Sequence, residues 1–242
     1  MTTAEFSNEF DILYDSISSA SAPGLDEYEK SVFLTKAQLE LVKEYNGPIN
    51  KYKQSFEGSD KRRADLRELV ADYSVQPSPM SNGVDANSQV ANIPSDLFLI
   101  KWEAGFYTKP GCPKQEVKIV PCKYDEYHDK KRNPFRRPNK RDGYRLDVQS
   151  VDGQKIVELV TQEPLDTYHI RYVKYPTPIV LTDLGGISQF EALTIDGVSK
   201  RTECKLDVEL HREILDRAVE LAMVAYRQEQ LAAEVQLNQR NN

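Results

Sequence analysis

The residues with the most chemical character form one run, KKRNPFRRPNKR, at 130–141. Lys130, Lys131, Arg132, Arg136, Arg137, Lys140 and Arg141 place seven cations within twelve residues. Pro134 and Pro138 fix φ and keep the run extended, and Phe135 between them can stack or wedge. Such a segment can meet phosphates, meet an acidic protein surface, or stand in water as a hairpin tip. A protein partner is favoured over nucleic acid. The whole chain carries a formal net charge of -6, so the rest of it is strongly acidic, and binding to duplex DNA needs a basic field. The candidate contact residues are Arg132, Phe135, Arg136, Arg137, Lys140 and Arg141.

The other residues able to do chemistry do not form a recognisable site. Cys112, Cys122 and His128 are separated by nine and five residues. That spacing matches no common zinc pattern and lacks a fourth ligand. Asp125, Glu126 and Asp129 lack the regular alternation and turn glycine of a calcium loop. The pair Gly185-Gly186 in TDLGGIS would cradle a phosphate only between a strand and a helix, and no convincing helix follows. His128, His169 and His211 have no spacing partner for a catalytic triad. No nucleotide-binding glycine motif, zinc-protease motif or nucleophile elbow is present. The expectation is no catalytic residue, no cofactor and no metal. Three cysteines, an odd number at wide spacing, read as free thiols in a reducing compartment rather than a disulfide framework.

The elements that position these residues follow from periodicity. Hydrophobic residues make up 39% of 242 residues, and the mean hydropathy is -0.60. This low value points to a chain that lies largely in exposed arms or finishes its core against neighbours. Thirteen tyrosines against one tryptophan suit half-buried surface, because the ring tolerates one wet end. In the first third, Thr2 with Glu5 and Asp26 with Glu29 read as capping boxes of two helices. Phe6, Phe10, Leu13 and Ile17 recur at helical spacing on the first. Val32, Phe33, Leu34, Leu39, Leu41, Val42 and Tyr45 form a broad face on the second. SAPG at 21–24 and Gly47-Pro48 end them. A third helix is expected from Ser59 to Asp72, with Lys61, Arg62 and Arg63 opposing the dipole in its first turn. Residues 74–96, rich in Pro, Ser, Asn and Gly, read as a linker or extended arm. Alternating apolar residues then predict strands at Phe98–Trp102, Val117–Ile119, Tyr144–Val148, Ile156–Val160, Tyr168–Tyr172 and Leu193–Ile195, with a hairpin turn at Asp152-Gly153. From Val208 to Leu231 the pattern is helical, with two apolar lines: Leu210, Ile214, Ala218, Leu221 and Ala225, and beside them Leu215, Val219 and Ala222. One core needs a stripe of only ~100°. The second line, Leu215, Val219 and Ala222, is therefore expected to meet a neighbouring subunit. The fold class is α+β: an N-terminal helical region at 1–73, the 74–96 arm, a central antiparallel β subdomain at 97–200 carrying the basic loop, and a long C-terminal helix with a polar tail at 201–242.

Taken in order, YEKSVFLTKAQLELV at 28–42, FEGSDKRRADLREL at 56–69, YHIRYVKYPTPIVL at 168–181, LTIDG at 193–197 and CKLDVELHREILDRAVELA at 204–222 resemble a family of virion ring proteins of crAss-like bacteriophages. The resemblance implies a structural protein in the neck or tail barrel of a podovirus-like phage, below the dodecameric portal. It would form a cyclic homo-oligomer of 12 copies, contact the portal or adjacent ring proteins, and let genomic DNA pass. It implies assembly in the host cytoplasm and no enzymatic activity. The 74–96 and 130–141 segments lie outside the resemblance. A nucleic-acid-binding accessory protein using 130–141 is the alternative, and a phage nuclease or hydrolase a further rival. The N-terminus has neither a basic n-region nor an apolar h-region, and no apolar run approaches membrane-spanning length, so export by signal peptide and membrane insertion are not expected. The cysteine spacing makes a testable expectation. Elemental analysis should find no zinc, and non-reducing mass spectrometry of the native virion no Cys112–Cys122 bridge. Stoichiometric zinc or that bridge would overturn it.

Overall fold

The structure is a computed structural model that describes residues 1–17, 24–46, 60–148, 153–186 and 193–240, with backbone alone at 17, 60, 62, 63, 186 and 227–240. The chain divides into two units. Met1–Leu69 with Pro176–Asn242 form a helical unit, and Val70–Tyr175 form a sheet unit.

In the helical unit, α1 (Thr3–Ile17) and α2 (Glu27–Asn46) start where the capping residues place them. The Thr2 N–H donates to Glu5 Oε2 at 2.8 Å and the Glu5 N–H to Thr2 Oγ1 at 3.3 Å. Asp26 and Glu29 repeat the exchange at 3.0 and 2.7 Å. Each box satisfies two amide donors that the first helical turn leaves open. A short α3 (Asp60–Asp65) and one 3-10 turn (Arg67–Leu69) close this part of the chain. The long α5 (Val208–Arg240) packs on α1 and α2. Phe6, Phe10 and Tyr14 from α1, Leu34, Ala37, Leu41 and Val42 from α2, and Leu210, Ile214, Leu215, Ala218, Val219 and Ala222 from α5 are all buried. Burial of each large side chain contributes roughly 1.5–3 kcal/mol.

Polar side chains fix the register of that packing. Lys30 is buried, and its Nζ reaches Asp11 at 2.7 Å, Glu27 at 3.2 Å and the Ser7 hydroxyl at 3.2 Å, tying α2 to α1. Ser31 Oγ accepts the Leu181 N–H at 3.0 Å, and Thr35 Oγ1 accepts that of Ile179 at 3.1 Å. The extended segment 178–181 is thereby held on α2. It also bridges Thr202 at Val180. Asp196, at φ 48°, and Gly197, at φ 80°, make the tight turn that joins Ile195 to Val198.

In the sheet unit, β1 (Val70–Val75), β2 (Ser78–Pro79), β3 (Ser88–Asn92), β4 (Leu97–Tyr107), β5 (Gln115–Pro121), β6 (Asp142–Asp147), β7 (Ile156–Val160) and β8 (Thr167–Lys174) form one sheet in the order β1-β8-β4-β5-β6-β7-β3-β2. Every neighbouring pair is antiparallel except β5–β6. A smaller core cluster joins Tyr127, Leu146 and Val160, and the larger one lies around Tyr107, Val117, Ile119, Leu159, Leu165, Tyr168 and Ile170. Gly105 of β4 is needed there, since a Cβ would stand 2.6 Å from the Leu165 side chain.

The α+β class and the long C-terminal helix are as expected, and several details differ. Residues 70–75 are a strand, not the end of a helix. Val70, Ala71, Asp72, Tyr73, Ser74 and Val75 pair residue for residue with β8, and that ladder outweighs the helical spacing of Leu66, Leu69 and Val70. The 74–96 segment carries β2, β3 and the end of β1 instead of forming a linker, because the edge of the sheet tolerates Pro79. Residues 176–186 and 193–200 belong with the helices and not with the sheet. The second apolar line of α5 is a core line: Leu215, Val219 and Ala222 are 1%, 2% and 3% exposed. Two helices, α1 and α2, pack on α5, so a wide apolar face is satisfied within one chain. Ser18 to Pro23, Gly47-Pro48, Ser59 and Asp152 lie outside the described residues.

His211 gives this unit a pH dependence. The ring is buried between Phe6, at 5.4 Å, and Leu206. Its Nδ1 lies 2.6 Å from the Met1 ammonium, which has no lone pair to offer, so Nδ1 accepts and Nε2–H donates to the Leu206 carbonyl at 3.0 Å. Burial, with the adjacent ammonium, holds the imidazole below its usual value of 6.5. The unfolded chain therefore takes up the proton first, and stability falls as pH drops below about 6.5. Urea unfolding at pH 7.5 and 5.5 should show this loss, and His211→Gln should reduce it. An unchanged pH slope in the variant would exclude His211 as its source.

Candidate functional site

Because β5 and β6 run parallel, the chain between them must travel back along the sheet before β6 can begin. The returning segment is α4 (Tyr124–Arg132) followed by a turn-rich stretch to Arg141. The basic run is thus three residues of helix and nine of crossover loop, not a hairpin tip. The helix forms because its charges follow the dipole: Asp125 and Glu126 in the first turn, Lys130, Lys131 and Arg132 in the last. Tyr127 anchors it, with a buried ring and a hydroxyl that donates to Asp85 at 2.9 Å.

Past the helix, side chains hold the loop in shape. Asn133 Oδ1 accepts the Phe135 N–H at 2.9 Å, and the Asn133 carbonyl accepts the Arg136 and Arg137 N–H groups at 3.0 and 2.9 Å. Tyr144 OH donates to the Arg136 carbonyl at 2.6 Å. Asn139 Oδ1 accepts from Arg141 and Asp142 at 2.7 and 2.9 Å. On this braced backbone Phe135 stands 95% exposed.

Two of the seven cations are engaged. Lys130 lies 3.3 Å from Glu126 and 5.0 Å from the Tyr144 ring centroid. Lys131 meets Asp85 and the Val84 carbonyl, each at 3.2 Å. Arg132, Arg136, Arg137, Lys140 and Arg141 are exposed and have no acidic partner among the described residues. Of the expected contact residues, the structure brings the six of the loop into one lobe. It places Leu215, Val219 and Ala222 in the core of the helical unit.

The remaining candidates stay apart. Cys112 and His128 are exposed, Cys122 and Cys204 half-buried. No group of three metal-ligating side chains exists among the described residues. Gly185 and Gly186 lie in a 3-10 turn. Burial pushes the Cys204 thiol up to about 11, so it is a poor nucleophile.

Strand pairing assembles one constellation that the sequence hides. Ser74 Oγ lies 2.5 Å from His169 Nδ1, and Asp72 Oδ1 3.8 Å from His169 Nε2. These are two directly opposed cross-strand pairs, Ser74–His169 and Asp72–Arg171. Asp72 takes two bonds from Arg171, at 2.7 and 3.2 Å, which hold its carboxyl below the usual range. Its distance to the imidazole is not that of a hydrogen bond. The trio therefore lacks the base–carboxylate link that activates a serine, and it staples an edge strand to the sheet.

A second hidden feature is buried. Glu103 accepts Tyr168 OH at 2.6 Å and pairs with Arg145 at 3.0 Å. Desolvation raises its pKa, and Arg145 and Tyr168 offset part of the shift. It sits beside a cleft of about 640 Å³ where β4 and β5 part.

What the fold presents outward is an ordered, charged lobe with an exposed aromatic, on a chain whose long helix is secured internally. Such a surface is suited to contacts with other macromolecules. The chain belongs to the phage tail ring protein 3/4 family, whose model matches residues 1–234. It is 42% identical over 245 aligned residues to Ring protein 4/5 of Bacteroides phage crAss001, with all of both chains covered. It is 38% identical over 230 residues to Ring protein 3 of the same phage, covering 93% of this chain and 96% of that one. The family expected from the ordered sequence segments is the family found.

The two groups of expected contact residues are separable by stability. Arg136→Glu with Arg137→Glu should change urea unfolding by no more than ~0.5 kcal/mol, as exposed positions usually do. Val219→Glu buries an unpaired charge and should cost at least about 3 kcal/mol. A stable Val219→Glu protein would reopen that helix line as a surface.

Proposed function

We propose that copies of this chain close into a ring in the neck or tail barrel of a podovirus-like phage, below the portal. The observation that carries this is the end-to-end alignment with two proteins named as rings in one phage. In this reading the ring has 12 copies, stacks on the portal or on adjacent ring proteins, and surrounds the path of the genomic DNA. Its parts are made and assembled in the host cytoplasm, and no step of its work is catalytic. The acidic balance of the chain fits a lumen that DNA slides past without sticking. The basic lobe at 132–141 suits a contact between proteins.

Electron cryomicroscopy of the virion tests the reading directly. The expected result is density for this chain in a closed ring of twelve between the capsid vertex and the tail tip. Its location in a fibre or the capsid shell, or its absence from the particle, would overturn the proposal.

A further inference from the structure

We infer that the basic lobe of one copy docks along α5 of the next copy, with Phe135 seated in an apolar groove and the lobe's arginines on its acidic flank. The inference rests on the ring reading above and names the contact that would close it.

Two grooves adjoin on α5. One, of about 640 Å³, lies between α2 and α5 and is lined by five carboxylates against a single arginine. Arg217 occupies two of those carboxylates, Glu40 at 2.9 Å and Glu220 at 3.0 Å. Among the described residues Glu44, Glu213 and Asp216 form no salt bridge; Glu213 accepts the Tyr45 hydroxyl at 3.4 Å and is felt by the Lys61 ammonium. The other groove, of about 730 Å³, is predominantly apolar, with Leu13 of α1 facing Leu221 and Val224 of α5. Asp216, Arg217 and Glu220 line both and form the ridge between them. Val224 is 53% exposed, and Ile12, next to Leu13, is 67% exposed.

The lobe carries the complementary chemistry in the same combination. One aromatic is almost wholly in water, and five cations without an acidic partner among the described residues flank it in sequence. Asn133, Asn139 and Tyr144 already fix its backbone, so little ordering entropy remains to be lost on docking. A partly charged, partly apolar groove suits this ligand better than DNA does, since a carboxylate-lined ridge repels phosphate. Lobe and groove are different surfaces, so their contact is heterologous, the kind that closes a ring when the rotation allows.

The test replaces Phe135 with a photoreactive phenylalanine analogue and mixes isotopically heavy and light copies of the full chain, as purified protein and in assembled virions. Mixed heavy–light cross-links into residues 208–224 are expected. Charge reversal provides the second arm. Arg136→Glu with Arg137→Glu, or Glu213→Lys with Asp216→Lys, should each weaken self-association at least about tenfold, and the four changes together should restore most of it. All positions are exposed, and circular dichroism confirms the fold of each variant. Cross-links within one chain, to DNA, to another ring protein or to another part of the neighbour overturn the inference, as do additive losses in the fourfold variant. Rings that form normally with a reversed lobe would sink this contact and leave the ring reading standing. Absence of any ring sinks both.

Discussion

One register decides most of what this chain shows to its surroundings: the parallel pairing of β5 with β6, Lys118 opposite Asp142 through Pro121 opposite Arg145. All other pairs in the sheet are antiparallel and can be joined by short connections. This one cannot, because the chain leaves β5 at the wrong end and must return before β6 can start. The segment from Cys122 to Arg141 is that return path. Its first half pays its way as a helix with dipole-matched charges, and its second half is a loop whose backbone polar groups are satisfied by Asn133, Asn139 and Tyr144. A hairpin tip of the same composition would be free to flex. The crossover instead fastens the cations and Phe135 to the sheet at both ends.

The same register explains the buried ion pair. β5 is shared in halves, with β4 beside residues 115–118 and β6 beside residues 118–121. Residues 97–103 of β4 therefore have no β5 neighbour, and the cleft opens there. Glu103 and Arg145 reach across from β4 and β6, and Tyr168 of β8 completes the network. Such a network adds little net stability, since desolvation opposes the attraction. It does penalise any slip of β4 that would leave Glu103 buried and alone. Lys30 plays the corresponding part in the helical unit, where its ammonium is closed in by Asp11, Glu27 and Ser7. Each unit thus has an apolar core that supplies most of the stability and, among its buried charges, an ion pair between two elements that makes its packing specific.

Legibility in the sequence followed the range of the interaction. Both capping boxes were readable because each is made within four residues. The long helix was readable because 3.6-residue periodicity is local. The sheet-edge strands were not. Residues 70–75 hold a strand because β8 lies beside them, a partner almost a hundred positions away. The width of the apolar face on α5 correctly announced two contacts. Nothing in it could say that both come from the same chain, since a leucine is buried equally well by α1, α2 or a neighbour. The basic lobe was legible as composition and not as shape, because its shape follows from the direction of two flanking strands. Ser74, His169, Glu103 and Arg145 were invisible as pairs for the same reason.

With α5 closed on its inner faces, the remaining exposed part of the helix differs from what periodicity suggests. Its outward side carries Glu213, Asp216 and Glu220, and near its middle Val224 stays in water beside the apolar groove. Two exposed patches therefore differ in chemistry: cations with an aromatic at 132–141 of the sheet unit, carboxylates with aliphatics along α5 of the helical unit. A homo-oligomer that used one self-complementary patch would have to bring like charges together across its two-fold axis. Opposite surfaces on opposite units avoid that repulsion and allow every copy to offer one of each. In this arrangement the net charge of -6 does not oppose assembly, because attraction at the contact is local. Salt screens interactions beyond roughly 8–10 Å, so in the proposed ring the remaining acidity has little effect on the joint.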